Sequence, residues 1–320
     1  MDFSSTCTAS TIKDAALALK EGRLVAFPTE TVYGLGADAT NEKAIARIYE
    51  VKGRPKGHPL IVHISSMKLL NKWARDVPDF AIKLANAFWP GPMTLVLTRT
   101  NLAKNFITGG QDNVALRVPV HPVGVELLKE FEKLGGLGVA APSANRFGKV
   151  SPTTALAVET ELNEYLSIFD HILDAGQSEI GVESTIIDCT RALPVILRPG
   201  SISLEMIEKV LKIELDYEVS PILEIKAPGM LDSHYSPNAK VILSGNPSPG
   251  DGFIAMANIP CPKGAIRLAS PEDIDQYARM LYESLRSADN RNLQNVFVVP
   301  PGNQGVGRAI NDRLRKAASR

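Results

Sequence analysis

The feature that most restricts the fold is a series of short apolar segments of strand length, separated by stretches with helical period, through the first two-thirds of the chain. Residues 24–27 (LVAF), 60–64 (LIVHI), 94–98 (TLVLT), 114–118 (VALRV), 138–142 (GVAAP), 171–175 (HILDA), 185–189 (TIIDC) and 195–199 (VILRP) are predicted strands. Between them, Ile12, Ala15, Ala16 and Leu19 share one face of a helix that Ser10 or Thr11 caps, that runs to about Glu21 and that Gly22 stops. A second helix over 41–51 carries Ala44, Ile45, Ile48 and Val51, with Asn41 as its N-cap, and 28–40 reads as a loop. Helices fill most gaps, but 185–189 and 195–199 are joined only by a short turn that contains Thr-Arg-Ala-Leu, so the sheet is expected to be mixed rather than purely parallel.

A chain of 320 residues exceeds the usual size of one domain. The break falls in PILEIKAPGMLDSHYSP, 221–237, which is rich in Pro and has no sustained period. The expected division is 1–220, a linker at 221–238, and 239–320. Beyond the linker, strands AKVIL, FIAMA and VFVVP, a helix at about 272–287 and a last helix at about 305–318 suggest a small Rossmann-like domain.

Lys plus Arg and Asp plus Glu are equal at 35 each, which excludes the broad basic face of a protein that grips a nucleic-acid backbone. Any RNA contact would be local, and the basic stretch GRAINDRLRKAASR reads as a solvated terminal helix. Cys7, Cys189 and Cys261 are scattered without CxxC spacing, so neither a disulfide framework nor a zinc site is suggested and a reducing compartment fits. With no signal pattern and no long apolar window, the expected location is the cytoplasm.

Polar and cationic groups are concentrated between Phe27 and Ile64, around apolar strands, as in an anion-handling site. Lys52 and Arg54 stand at a helix end, where they either hold an oxyanion and a phosphate side by side or simply complement the helix dipole. Ser143 and Asn145 follow an apolar strand in the turn SAN, at the strand end where α/β sheets favour ligands, unless this is an ordinary turn. Ser151 either contacts a nucleotide or caps a helix starting near Pro152. His58 and His63 lack a Cys or acidic partner at ligand spacing, so no protein-bound metal is expected; His63 meets a substrate or sits satisfied in the core. No P-loop is present, PGNQGVG has the wrong order for a dinucleotide fingerprint, and there is no GxSxG elbow.

PTET-Y at 28–33, KxRP at 52–55 and SxN at 143–145, in that order, resemble the threonylcarbamoyl-adenylate synthase family over roughly residues 10–215. APGMLDSHYSP at 227–237 is similar to the linker of its two-domain form. The resemblance implies an α/β fold: a YrdC-like mixed, twisted sheet with a concave cavity, plus the smaller Rossmann-like C-terminal domain. It implies a nucleotidyltransferase that joins L-threonine, bicarbonate and ATP into threonylcarbamoyl-AMP and pyrophosphate, with Mg²⁺ arriving on ATP. A separate tRNA-modifying threonylcarbamoyl transferase would use the product at tRNA position 37. By the same resemblance Lys52 and Arg54 are catalytic, and Thr31, Tyr33, His63, Arg117, Ala141 and Ser184 receive threonine. Arg54, His58, Ser143, Asn145, Ser151, Arg198, His234 and Tyr235 receive ATP, the last two from a linker that folds over the cavity as a lid. Two rivals stand beside it. One is a non-catalytic RNA-binding protein, disfavoured by the neutral charge; the other is a hydrogenase-maturation carbamoyltransferase, whose acylphosphatase-like and Cys-rich segments are missing from the sequence.

Overall fold

The computed structural model describes residues 9–215 and 235–319. Nine strands form the first sheet: β1 (Val25–Phe27), β2 (Gly34–Asp38), β3 (Ile61–His63), β4 (Met93–Thr98), β5 (Asn113–Arg117), β6 (Val139–Ala140), β7 (His171–Ile172), β8 (Thr185–Asp188) and β9 (Val195–Arg198). Their order is β7-β1-β2-β6-β3-β5-β4-β8-β9. Pairing is mixed, as expected: β1/β7, β3/β5 and β4/β8 are parallel, while β8/β9 is the antiparallel pair that the short connection requires. The expected loop at 28–40 is a loop only as far as Tyr33, because GLGAD forms the fully buried β2 between β1 and β6. Glycine is a poor strand former, so pairing on both edges decides the conformation where local sequence does not.

The two faces of this sheet are covered separately. Val25, Phe27, Val139 and Ala141 join Ile12, Ala15, Leu19, Leu127 and Phe131 from helices Ala9–Lys20 and Pro122–Lys133. Ala26, Leu35, Ala37 and Val62 face the other way, onto Ile45 and Ile48 of helix Glu42–Lys52 and onto Trp73 and Leu84. Alternate residues of β1 thus enter different cores, as a period of two dictates. Each buried Leu, Ile or Phe stabilises the arrangement by roughly 1.5–3 kcal/mol relative to exposure.

The second sheet holds β10 (Lys240–Ile242), β11 (Gly252–Ile254), β12 (Ile266–Ala269) and β13 (Asn295–Val298) in the order β10-β13-β11-β12, every pair parallel. Helices Ile274–Asn290 and Gly307–Ala318 pack on it, in the Rossmann-like manner expected. β12 was not anticipated, since three of its four residues are only half-buried and give no clear apolar alternation. The last helix is not solvated all round: Ala309, Ile310, Arg313, Leu314 and Ala317 are buried on one face. Its basic composition concealed an ordinary amphipathic pattern.

The two sheets share one interface. Val32, Val150 and Val182, all from loops of the first sheet, are buried in the core of the second with Tyr235, Tyr282 and Ile310. Gly181, at φ +81°, brings its loop against helix Ile274–Asn290 so closely that a Cβ would lie 2.5 Å from both the Ala278 carbonyl oxygen and the Arg279 Cα. Most of the expected linker, up to and including His234, lies outside the described residues. Among the described residues no helix is long and apolar enough to cross a membrane.

Candidate active site

β1 ends at Phe27, and the PTET loop turns across the end of the sheet. Thr29 forms the turn: its hydroxyl donates to the Val32 carbonyl at 2.6 Å and accepts from the Thr31 and Val32 amides. The cavity so begun is lined by Thr29, Thr31, Tyr33, His63, Arg117 and Ala141 on one side. Arg54, Ser143, Glu183, Ser184, Arg198 and Tyr235 complete it.

The β3/β5 register sets His63 beside Arg117. Arg117 is among the residues expected to receive threonine, and the protein itself occupies its fork. One Nη donates to Thr31 Oγ1 at 2.9 Å and the other to Glu30 Oε1 at 2.6 Å, while Glu30 Oε2 accepts from the Val120 amide. Both charges are buried, at 4% and 2% exposure, and a guanidinium so placed needs its counter-charge. Its Nε alone has no hydrogen-bond partner among the described residues. Burial, and then the Arg117 charge, push the His63 pKa down to about 3, so the imidazole is neutral at pH 7. Its Nδ1 also lacks a partner among the described residues, which departs from a satisfied core histidine. Tyr33 donates its hydroxyl to the Gly176 carbonyl at 2.7 Å and accepts from the Ala175 amide.

Asn41 caps helix Glu42–Lys52 as expected, its Oδ1 accepting from the Lys43 and Ala44 amides. Gly53 ends the helix in the left-handed region at φ +60°, and this turn separates the two cations. Arg54 enters the cavity, donating one Nη to the Pro59 carbonyl and leaving Nε without a partner among the described residues. Burial lowers its pKa to about 10, so it stays charged. Lys52 does not border the cavity: its ammonium donates to the Ser143 and Asn145 carbonyls from a buried position. Burial, reinforced by Arg54, holds its pKa well below the usual lysine range. The pair therefore does not grip one anion side by side; Lys52 clamps the SAN turn while Arg54 faces the cavity.

Of the other nucleotide candidates, Ser143 lines the cavity and bridges Gly34 across the sheet end. Asn145 lies behind it, its Nδ2 donating to the Arg146 and Lys149 carbonyls. His58 is also off the cavity, half-buried and edge-on to Phe147 at 5.5 Å. Ser151 caps no helix, because Thr154 caps Ala155–Leu162; instead its hydroxyl donates to Glu183 Oε1 at 2.6 Å. Arg198 donates from Nε and Nη2 to the Ser184 carbonyl at 3.1 and 3.0 Å, and the Ser184 hydroxyl meets Thr94 Oγ1 at 2.8 Å. Tyr235 is buried at φ +63° and stacks on Tyr282 with ring centroids 5.8 Å apart, whereas His234 lies outside the described residues.

Sequence reasoning missed Glu183 as a site residue, although it stands inside GVESTIID. Its Oε2 accepts from the Tyr282 hydroxyl at 2.8 Å and from Arg313 Nε at 2.9 Å. Burial alone would raise its pKa; Arg313, Arg198 and the Ser151 hydrogen bond outweigh it and hold it at about 2. Arg313 is 130 residues away in sequence, so only the apolar period of the last helix hinted that anything there turned inward.

Three guanidinium groups, from Arg54, Arg117 and Arg198, thus surround one cavity whose nearby carboxylates, Glu30 and Glu183, are already bonded within the protein. Such a site suits an anionic ligand. Among the described residues no cluster of His, Cys, Asp or Glu could hold a metal ion by itself.

Comparison with known proteins supports the same reading. The Sua5/YciO/YrdC family model, described as telomere recombination, matches residues 17–200, and the model of the threonylcarbamoyl-AMP synthase C-terminal domain matches 202–319. Threonylcarbamoyl-AMP synthase of Pyrococcus abyssi is 41% identical over 325 residues, covering 96% of this chain and 94% of that protein. The Bacillus subtilis synthase is 38% identical, covering 96% and 92%. The crystal structure of P. abyssi Sua5 complexed with L-threonine superposes with a TM-score of 0.86 at 39% identity, covering 97% of this chain and 94% of that one. With both of its halves matched and its cavity built from the same motif segments, the chain belongs to the two-domain threonylcarbamoyl-AMP synthase family.

Proposed function

We infer that this protein makes threonylcarbamoyl-AMP and pyrophosphate from L-threonine, bicarbonate or CO2, and ATP, for modification of adenosine 37 in tRNA. The observation that carries the reading is the single cavity in which three buried arginines face one neutral histidine, in a chain similar along nearly its whole length to named synthases. The amine of threonine captures the one-carbon unit as a carbamate, and a carbamate oxygen attacks the α-phosphorus of ATP as pyrophosphate leaves. No protein nucleophile is needed, so the chain's task is positioning and charge stabilisation.

Thr31, Tyr33, His63, Arg117, Ala141 and Ser184 form the threonine side. Neutral His63 can hydrogen-bond the amino acid without adding charge, and its low basicity makes it a poor sink for the amine's proton. Arg117, already bonded to Glu30, offers a threonine carboxylate its electrostatic field and its remaining donor capacity rather than an open fork. Arg54, Ser143, Arg198 and Tyr235 form the nucleotide side. Lys52 acts from behind by fixing the turn that bears Ser143, and Asn145 and Ser151 support the same wall. His58 and His234 complete the nucleotide set expected from the family. Magnesium enters with ATP as part of the substrate; with Glu30 and Glu183 engaged, phosphate oxygens and water supply its ligands. The neutral overall charge favours passing the adenylate to a separate tRNA-modifying transferase, with at most a weak RNA contact here, and the scattered cysteines suit the cytoplasm.

The test is incubation with Mg-ATP, bicarbonate and labelled threonine, followed by detection of the labelled adenylate and of pyrophosphate. Pyrophosphate should form only when threonine and bicarbonate are both present. Equal ATP cleavage without either would overturn the reading.

A further inference from the structure

Glu183 poses an electrostatic problem that Arg198 and Ser151 share with a residue from the second domain. It borders a cavity that takes a polyanion, and an ionised carboxylate there repels phosphate unless its charge is offset. The largest part of the offset comes from outside the cavity. Arg313, fully buried on helix Gly307–Ala318 and absent from the cavity lining, donates Nε to Glu183 Oε2 at 2.9 Å, while Tyr282 of helix Ile274–Asn290 donates its hydroxyl to the same oxygen at 2.8 Å. The Arg313 guanidinium also lies 5.3 Å from the centroid of the Tyr235 ring, and Tyr235 lines the cavity. Glu183 in turn accepts from Ser151 through its other oxygen.

A second observation points the same way. Val32, Val150 and Val182 are each the residue immediately before Tyr33, Ser151 and Glu183, and all three are buried in the core built around the C-terminal helices. The second domain therefore grips the loops that carry these residues as well as neutralising the carboxylate among them.

We propose that Arg313 is a positioning residue for the nucleotide: from the C-terminal domain it masks and orients Glu183, so that the cavity wall made by Glu183, Ser151 and Tyr235 accepts the phosphates of ATP. This rests on the synthase reading above. Arg198 contributes to the same offset, but it donates to the Ser184 carbonyl and belongs to the phosphate-facing set itself.

The test uses the full chain with Mg-ATP, threonine and bicarbonate. Arg313→Met should raise the KM for ATP by about tenfold or more, while calorimetry shows the Kd for threonine within about twofold of the parent. Adding Glu183→Gln should bring the KM for ATP back to within about threefold, because the unmasked charge that borders the cavity is gone, while Asp312, the other carboxylate on Arg313, lies off the cavity and keeps Lys316 at 3.0 Å. A variant that merely folded less well would lose active protein and kcat, not ATP affinity, and would not be rescued by deleting a second buried group. Should Arg313→Met not fold, Arg313→Gln and Arg313→Lys decide: the neutral Gln should raise the KM for ATP by about tenfold, and the charged Lys should keep it within about threefold of the parent. An unchanged KM for ATP in Arg313→Met or Arg313→Gln, a parallel loss of threonine affinity, a double variant no better than the single one, or a tenfold rise in KM for Arg313→Lys would overturn the proposal. In each of those cases the parent protein still makes the adenylate and the synthase reading stands. A parent that makes none removes both.

Discussion

Lys52 and Arg54 are two residues apart and act on opposite sides of one turn, which separates their expected phenotypes. Arg54→Ala removes a charged donor from the cavity and should lower adenylate synthesis by about 100-fold with little change in thermal melting. Lys52→Ala leaves the Ser143 and Asn145 carbonyls without their donor, so activity should fall together with stability, by about 1–3 kcal/mol in denaturant titration. His63 gives a pH signature. Its folded pKa of about 3 lies below the ordinary 6.5, so between those values the unfolded chain binds the extra proton and stability falls as pH falls. The slope due to His63 approaches about 1.4 kcal/mol per pH unit. Melting curves should drop below pH 6.5, less steeply in His63→Gln; above about pH 5.5 the acid limb of Glu183, with its pKa of about 2, contributes little. Residues read from motifs a few positions long, Thr31 and Tyr33 of PTET-Y, Arg54 and Ser143, border one cavity, because each stands close after the end of a strand or helix. The pairings Glu30–Arg117 and Glu183–Arg313 were not legible, since they join segments 87 and 130 residues apart, the first brought together by the completed sheet and the second by the docking of the two domains.

Helix Glu42–Lys52 starts where its expected cap Asn41 marks it, whereas helix Ala9–Lys20 includes Ser10 and Thr11, the caps expected for it; strands were found where branched residues cluster. β2 and β12 escaped because one is half glycine and alanine and the other is half-exposed, so neighbouring strands rather than their own composition hold them in place. Gly181 belongs to the same level. Any side chain there meets a left-handed backbone and a helix at 2.5 Å, so Gly181→Ala should push its loop away from helix Ile274–Asn290. The expected result is a loss of about 2 kcal/mol or more in denaturant titration and a higher KM for ATP, because Glu183 lies two residues on. A stable Gly181→Ala with normal kinetics would show that this contact gives way without cost.

At the scale of the molecule, the two-domain form was legible from length and from the motifs, but the interdependence of the two parts was not. Nothing in the sequence marks Val32, Val150 and Val182 as members of a distant core rather than of the sheet that carries them. Their placement packs loops of one half into the core of the other, with a consequence for solvent access to the backbone. If loosening the C-terminal core releases the loops of Tyr33, Ser151 and Glu183, a substrate bound between those loops opposes the loosening with its own binding free energy, about 2.7 kcal/mol at a hundred times its Kd. Amide protons of helix Gly307–Ala318, which meets no ligand, should then exchange with deuterium up to about a hundredfold more slowly when threonine and Mg-ATP are bound, so that occupancy of the cavity is recorded at the far end of the chain.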